Sequence, residues 1–492
     1  MIASVLNRDV LASNSLLGPV TMRDSSALER LVAALTKQRD KKFSADEFSR
    51  FEVELAERLR EVGREALAHE MKKADVDADS VMIEGVVHRR VLRGTETYMT
   101  TMGPVAVERT LYKDRTDPGA RAVAALEKRL GVVGGFWLPQ AAKQAAWVVS
   151  HMTPRTSEEL FERVGNMQPS RSSLDRLPKQ LNESWEEDRV RFEAELRAAT
   201  EIPEATKSIA VSLDGVLAPV KDREAVETRV EATGEGRRSQ GPEGYREVGC
   251  ATISFCDEDG EMISAIRMAR MPEPNKLSLK GMIIDELGTL LAQRPDLPVV
   301  KLADGAEDNW TFLSRTIPMG AEVLDFFHAA EHLGDALAAA YGEGSRDARM
   351  RFEELREVLR DDCGGVEHVI RTLAYLHRKH PQRKRIKNAL TYFRKHRHRM
   401  RYFELKEAGL PIGSGPVEAA CKTLVAQRMK QSGMRWGTHG GQGILTIRGW
   451  CQSDRFDHAW ALFAATHRVE VTVLDNVIAF PGRKRAPNAE SV

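Results

Sequence analysis

A strand-like run, Ile209-Ala210-Val211-Ser212-Leu213, leads straight into a carboxylate, Asp214, followed by Gly215. Aspartate is depleted in strands and costly to bury unless something positive lies beside it. Four readings of this stretch compete: a turn, a solvent-facing side chain, a phosphatase nucleophile loop, or one ligand of a metal site. The arrangement recurs in VKLADGA, where Asp304-Gly305 again closes an apolar run. One such pair is usually a turn. Two in neighbouring strands of one fold point to a shared site.

The surrounding order narrows the fold. From residue 206, SIAVSLDGVLAPV, REVGCATISFC and MISAIRMARM read as strands, with Asp257-Glu258-Asp259-Gly260 as a hairpin turn. LSLKGMIIDELGTLLAQ then reads as an amphipathic helix and LPVVKLADGA as a further strand. Three hairpin-like strands, a helix and another strand is the order of an RNase H-like fold. A third carboxylate, Glu418, sits in the first turn of the helix opening at GSGPVE, where Gly413 and Gly415 let the backbone turn, Ser414 can cap and Pro416 suits an early helical position. Alone, Glu418 reads as favourable placement against a helix dipole. Together, two strand-end aspartates and a helical glutamate offer the oxygen ligands that hard divalent cations such as Mg²⁺ prefer. Two such ions stabilise the attacking and leaving oxygens of an in-line phosphoryl displacement. The phosphatase alternative needs an aspartate two residues before Asp214, and Ser212 stands there.

Length and charge fit this reading. A chain of 492 residues supports two to four domains, and 42% hydrophobic with 29% charged residues is ordinary for a globular protein. No apolar run approaches the roughly 20 residues of a membrane span. The first residues lack the basic and apolar regions of a signal peptide, and the five cysteines (250, 256, 363, 421, 451) never pair as CxxC. The expectation is a cytoplasmic protein with no structural zinc. The formal net charge of +1 conceals segregation: His368 to Phe403 has no Asp or Glu, but twelve Lys or Arg and five His. Such a block in a neutral chain suggests a polyanion-binding surface. Its Arg383, Lys384, Arg385, Lys387, Arg394, Lys395 and Arg397 are the candidate DNA contacts; a solvated helical face is the alternative.

Upstream, ALERLVAALTK and FSRFEVELAERLREVGREALAHEM have helical periodicity. HRRVLRGTETYMTTMGPVAVERTLYKD reads as a hairpin or small sheet whose His88, Arg89, Arg90, Arg93, Arg109 and Lys113 face either phosphates or solvent. TSEELFERVG and PSRSSLDRL are spaced like a helix-turn-helix, whose second helix would offer Arg171, Ser172 and Arg176 to a DNA groove. Past Glu418, Lys422, Arg428, Lys430, Arg435 and Trp436 mix cations with an aromatic, which suits backbone contact plus base stacking. Lys422 also stands where an i,i+4 ion pair with Glu418 would form, and Trp436 equally suits a core.

VSLDGV, LADGAEDNW, LDFFHAAEHL, GSGPVEAACK and RMKQSGMRWGTHGGQGILTIRGW, in that order, resemble a DDE transposase of bacterial insertion sequences. The resemblance runs from about residue 80 to 465, closest to the Kra group and more distantly to Mutator-like enzymes. It implies that Asp214, Asp304 and Glu418 form the catalytic, Mg²⁺-binding triad, with Mn²⁺ able to substitute. Asp325-Phe326-Phe327-His328 fits the D-x-x-H of helix-inserted members, which implies a role for His328 near the scissile phosphate and a supporting one for Asp325. The implied fold is α+β and multidomain: an RNase H-like mixed α/β catalytic domain split by an all-helical insertion, preceded by helical and small β DNA-binding modules. The expected partition is an N-terminal helical region (1–80), a DNA-binding region (81–205), the catalytic domain in two parts (206–344 and 409–470), a helical insertion (345–408) and a flexible tail (471–492). Partners would be terminal inverted repeats, target DNA and further copies of the chain, with no membrane. A nuclease without strand transfer and a decayed DNA-binding protein are the rival functions.

Overall fold

The computed structural model describes residues 26–38, 41–117, 119–221, 244–317 and 319–474. Its contacts divide the chain into two compact units, one of residues 1–144, 155–171 and 464–492, the other of residues 145–154 and 172–463. No helix among the described residues is long and apolar enough to cross a membrane.

The first unit opens with helices Ala27–Gln38 and Ala45–Ala74. The second of these starts at a capping box, in which Ser44 and Glu47 satisfy each other's backbone N–H groups. An antiparallel sheet follows, built from β1 (Ser80–Ile83), β2 (Val86–Thr100), β3 (Gly103–Asp114) and β4 (Val123–Ala124). Tyr98 and Tyr112 are fully buried beneath it; the Tyr112 hydroxyl donates to the Val76 carbonyl at 2.7 Å, and that of Tyr98 to Glu127 at 2.8 Å. Three of the basic residues read as possible phosphate contacts are neutralised within the unit. Arg90 pairs with Asp77 and Asp79, Arg93 with Asp75, Asp77 and Glu108, and Arg109 with Glu96 and Glu127. The end of the chain departs from the expected tail. Val471–Val473 forms β10, antiparallel to β1, because Val471 is buried in the cluster that holds Val81, Ile83 and Tyr112. Residues 475–492 of that tail lie outside the described residues.

The second unit centres on a five-stranded sheet of β5 (Ser208–Pro219), β6 (Tyr245–Cys256), β7 (Met262–Arg270), β8 (Val299–Ala303) and β9 (Ala321–Leu324), in the order β7-β6-β5-β8-β9. β5, β6 and β7 are antiparallel neighbours, whereas β8 and β9 run parallel to β5. Helix Leu277–Gln293 connects β7 to β8, and helix Glu307–Thr316 connects β8 to β9. The core combines strand residues such as Ile209, Val211, Ile253 and Val300 with Leu279, Ile283, Leu313 and Leu333 from the helices. Helices Arg346–Asp361, Gly365–Lys379, Lys384–His396 and Tyr402–Glu407 then follow, and Leu355, Leu373, Ile386 and Phe393 join the same core. The outer edge of β7 has no strand beside it among the described residues. Instead Gln442, on helix Thr438–Gln452, accepts from the Met271 N–H at 2.8 Å and donates to the Ala269 carbonyl, while Ser453 accepts from the Arg267 N–H at 2.8 Å.

Candidate functional site

Register sets up the site. Ser212 of β5 lies beside Leu302 of β8, and Leu302 lies beside Val323 of β9. Two residues further along each of these parallel strands stand Asp214, Asp304 and Asp325. Three aspartates therefore occupy one level across three adjacent strands, Asp304 and Asp325 just past the ends of β8 and β9 and Asp214 within β5, where the strand order reverses. In open α/β sheets such a switch point is where ligands bind.

The expectation that Asp-Gly closes each run holds for Asp304, but β5 continues past Asp214 to Pro219, paired throughout with β6. Neither glycine is there for a positive φ. A side chain on Gly215 would strike the Glu247 carboxylate, and one on Gly305 would come within 2.6 Å of the Tyr392 ring. Close approach, not turn geometry, calls for glycine at 305, where the obstacle is a ring; at 215 it is the end of a flexible glutamate side chain.

Asp214 and Asp304 are half-buried and held lightly. Asp214 Oδ1 accepts from its neighbour's N–H at 2.6 Å, and Oδ2 from the Cys421 thiol at 3.4 Å. Asp304 Oδ1 accepts from the Ala306 N–H at 3.1 Å and from Asn309 Nδ2 at 3.4 Å. Asn309 donates also to the Leu213 carbonyl at 3.1 Å and so ties the ends of β5 and β8 together. Trp310 Nε1 donates to the Asp304 carbonyl at 2.5 Å. Asn309, Trp310 and Cys421 were not singled out from the sequence. All three lie inside the quoted motifs, but neither residue type nor spacing distinguishes them from core residues.

Asp325 is a different kind of group. It is completely buried and caps helix Phe326–Tyr341, its Oδ1 accepting from the Phe327 N–H at 2.6 Å. Its Oδ2 accepts from the Ser414 N–H at 3.3 Å, from the Ser414 hydroxyl, and from His328 Nδ1 at 3.3 Å. Burial pushes its pKa up, but the hydrogen bonds from His328, Ser414 and Phe327 outweigh this and hold it below the usual carboxylate range. The bond to Asp325 raises His328 to about 9 against the opposing effect of burial. Glu418, on helix Gly415–Ala420, lies 3.1 Å from the Ser414 hydroxyl, whose single proton goes to Asp325, and 3.6 Å from His328 Nδ1. Burial and the neighbouring Asp325 carboxylate push its pKa up. Ser414, expected to cap this helix with its side chain, is spent on Asp325 instead.

Among the described residues, the three metal-competent side chains whose ligand atoms all lie within 4.8 Å of one another are Asp325, His328 and Glu418. Asp214, Asp304 and Glu418 do not form a group that tight. Asp325, however, has both oxygens engaged and no exposed surface, so it suits a brace better than a ligand. The half-buried Asp214 and Asp304 and the exposed Glu418 keep uncommitted lone pairs, and their all-oxygen chemistry fits Mg²⁺ or Mn²⁺.

The candidate DNA contacts sort by exposure. Arg171, Ser172, Arg176, Lys422, Lys430 and Arg435 are exposed, as are Arg383, Lys384, Arg385, Lys387, Arg394, Lys395 and Arg397. Lys395 pairs with Glu307 at 3.2 Å and Arg397 with Glu367 at 4.0 Å, whereas Lys422 makes no ion pair with Glu418. Helix Pro154–Val164 and helix Arg171–Glu187, read as a helix-turn-helix, fall largely on opposite sides of the division between units. Arg428 corrects the sequence reading. It is 2% exposed, with Nε and Nη2 donating to the Val149 carbonyl at 3.3 and 3.2 Å and its guanidinium over the Trp436 ring at 4.9 Å. A guanidinium committed this way is a strut and not a phosphate contact. Trp436, half-buried on Arg428, donates its Nε1–H to the Met429 carbonyl at 3.0 Å.

No family model matches the chain, and no curated protein matches it. Among solved structures, the chain is similar to the Drosophila P element transposase strand transfer complex. That likeness covers 63% of this chain and 91% of the other, at 10% identity and a TM-score of 0.31.

Proposed function

We propose that the chain is a DNA transposase of the DDE type with an RNase H-like catalytic domain. One observation carries the reading: Asp214, Asp304 and Asp325 stand level on three parallel strands, and Ser414 and His328 link the last of them to Glu418. The strand order β7-β6-β5-β8-β9, with helices interposed after β7, β8 and β9, supports the fold assignment. Asp214, Asp304 and Glu418 would hold Mg²⁺ or Mn²⁺, and Asp325 and His328 would brace Glu418. The bound cations supply charge neutralisation for the phosphoryl group and acidify a water. In the first step water attacks phosphorus at the element end and a 3′-hydroxyl leaves. In the second, that hydroxyl attacks a target phosphodiester and displaces another 3′-oxygen, so one bond forms for each broken. The exposed cations of residues 383–397, with Arg171, Ser172, Arg176, Lys422, Lys430 and Arg435, would lie along the DNA backbone. Joining two terminal inverted repeats to one target calls for a homodimer or larger assembly.

The test incubates purified protein with DNA from either side of its coding region, in Mg²⁺ or EDTA, and maps new 3′-hydroxyl ends. Metal-dependent cuts at fixed positions, abolished in Asp304→Asn and Glu418→Gln while DNA binding persists, are expected. Cutting without joining would identify a nuclease, binding without cutting a decayed DNA-binding protein, and normal cutting by Asp304→Asn would sink the assignment.

A further inference from the structure

Helix Lys384–His396 carries the exposed cations Lys384, Arg385, Lys387, Arg394 and Lys395, yet Tyr392 on the same helix reaches the carboxylate edge of the sheet. Its ring lies against Gly305, the residue after Asp304; a Cβ there would meet Cε2 at 2.6 Å and the hydroxyl at 3.2 Å. On the other side it stacks against His332, with ring centroids 3.9 Å apart, and lies 4.9 Å from His396. The Tyr392 hydroxyl is shielded from solvent and has no hydrogen-bond partner among the described residues. Burial, reinforced by the Asp304, Asp325 and Glu331 carboxylates, keeps the phenol in its proton-bearing form.

A shielded donor without an acceptor destabilises the fold, and such groups persist where function uses them. Asp304 directly precedes Gly305, against which the ring lies, and is foremost among the carboxylates whose charge acts on the phenol. Its Oδ1 takes both of its side-chain hydrogen bonds, from Ala306 and Asn309, and Oδ2 takes none among the described residues. Because the hydroxyl is shielded, a DNA strand or bulk water does not meet it directly.

We propose that Tyr392 is a positioning residue for Asp304: its hydroxyl donates to Oδ2 when that carboxylate turns to hold a cation, fixing the ligand's orientation. The inference rests on Asp304 being a cation ligand. It also accounts for Gly305, since any side chain there would push the ring away. The helix that offers cations to a polyanion would thereby also set the geometry of the carboxylate edge.

The test compares wild type, Tyr392→Phe and Asp304→Asn. Phenylalanine keeps the ring and deletes only the orphan hydroxyl. Without divalent cation, the melting temperature of Tyr392→Phe should be unchanged or raised by about a degree or two, because nothing bonded is lost. Its Mn²⁺ affinity, measured by calorimetry, should fall about tenfold, the size of one hydrogen bond to a charged group. A clear drop in melting temperature would mean that the hydroxyl is bonded inside the resting fold, and would overturn the proposal. So would unchanged Mn²⁺ affinity in Tyr392→Phe alongside lost affinity in Asp304→Asn. Wild-type Mn²⁺ binding by Asp304→Asn would instead remove the ligand role of Asp304, and the role of Tyr392 with it.

Discussion

Replacing Asp325 by asparagine changes one atom and almost no volume, so its cost is one of hydrogen-bond polarity and of the lost carboxylate charge. In the native fold Oδ1 faces one donor, the Phe327 N–H, and Oδ2 faces three, from Ser414 N–H, Ser414 O–H and His328. An amide must aim its NH₂ at one side or the other. The cheaper choice points it at Phe327, which removes the N-cap of helix Phe326–Tyr341 and costs about 1 kcal/mol. It also sets two N–H groups against each other in a fully buried site, which adds about 1–3 kcal/mol for unsatisfied donors. The total is about 2–4 kcal/mol, read as a lowered urea midpoint at unchanged slope. A second readout reports the charge. His328, held at about 9 first by its bond to Asp325, should titrate closer to 6.5 in Asp325→Asn when followed by NMR of the imidazole protons. Stability within about 0.5 kcal/mol of wild type, or an unmoved His328 titration, would refute the bracing role assigned to Asp325.

Arg428→Met should cost about 3 kcal/mol, because it orphans the buried Val149 carbonyl and removes the cation over Trp436; the salt dependence of DNA binding should not change, and a shallower slope would put Arg428 back on the DNA surface. His396 is buried with Nδ1 unpaired, and burial followed by the charges of Arg399 and Lys395 depresses its pKa to about 4. A histidine that folds neutral but unfolds into water binds its proton preferentially in the unfolded chain. Its stability contribution is therefore complete above about pH 6.5 and is lost progressively as the pH falls towards 4, by up to about 3 kcal/mol. Urea midpoints measured between pH 7 and 4.5 should fall less steeply in His396→Phe than in wild type, and identical pH profiles would contradict this.

The strands of the second sheet were legible because β-branched runs such as VVKLA and the DEDG turn carry short-range signals. Asp214 and Asp304 stood out because an aspartate at the end of such a run needs an explanation. Asp325 was legible as a motif residue, but not as one level with the other two. That fact depends on β8 lying between β5 and β9, and register between distant strands leaves no local trace. Ser414 shows the same limit: a serine before Gly-Pro reads as a cap, and only the tertiary structure reveals a buried carboxylate 89 positions away competing for its hydroxyl. Arg428 failed for the opposite reason, since cations near an aromatic read alike whether they face DNA or a carbonyl. Val471–Val473 was passed over because three residues pairing with a strand some 390 positions earlier give too short a pattern to weigh.

The guarding of β7 bears on how the chain can be made. Its backbone edge stays open until Gln442 and Ser453 arrive, after some 170 further residues have been synthesised. Throughout that interval the growing chain exposes an unpaired strand beside an apolar core, the form most prone to joining its counterpart on another copy. A product terminated anywhere between Arg270 and Gln442 would therefore self-associate, even where every aspartate of the sheet is present. Glu418 lies within that same stretch. A chain long enough to carry all three expected ligands still lacks Gln442 and Ser453, the residues that occupy the β7 edge.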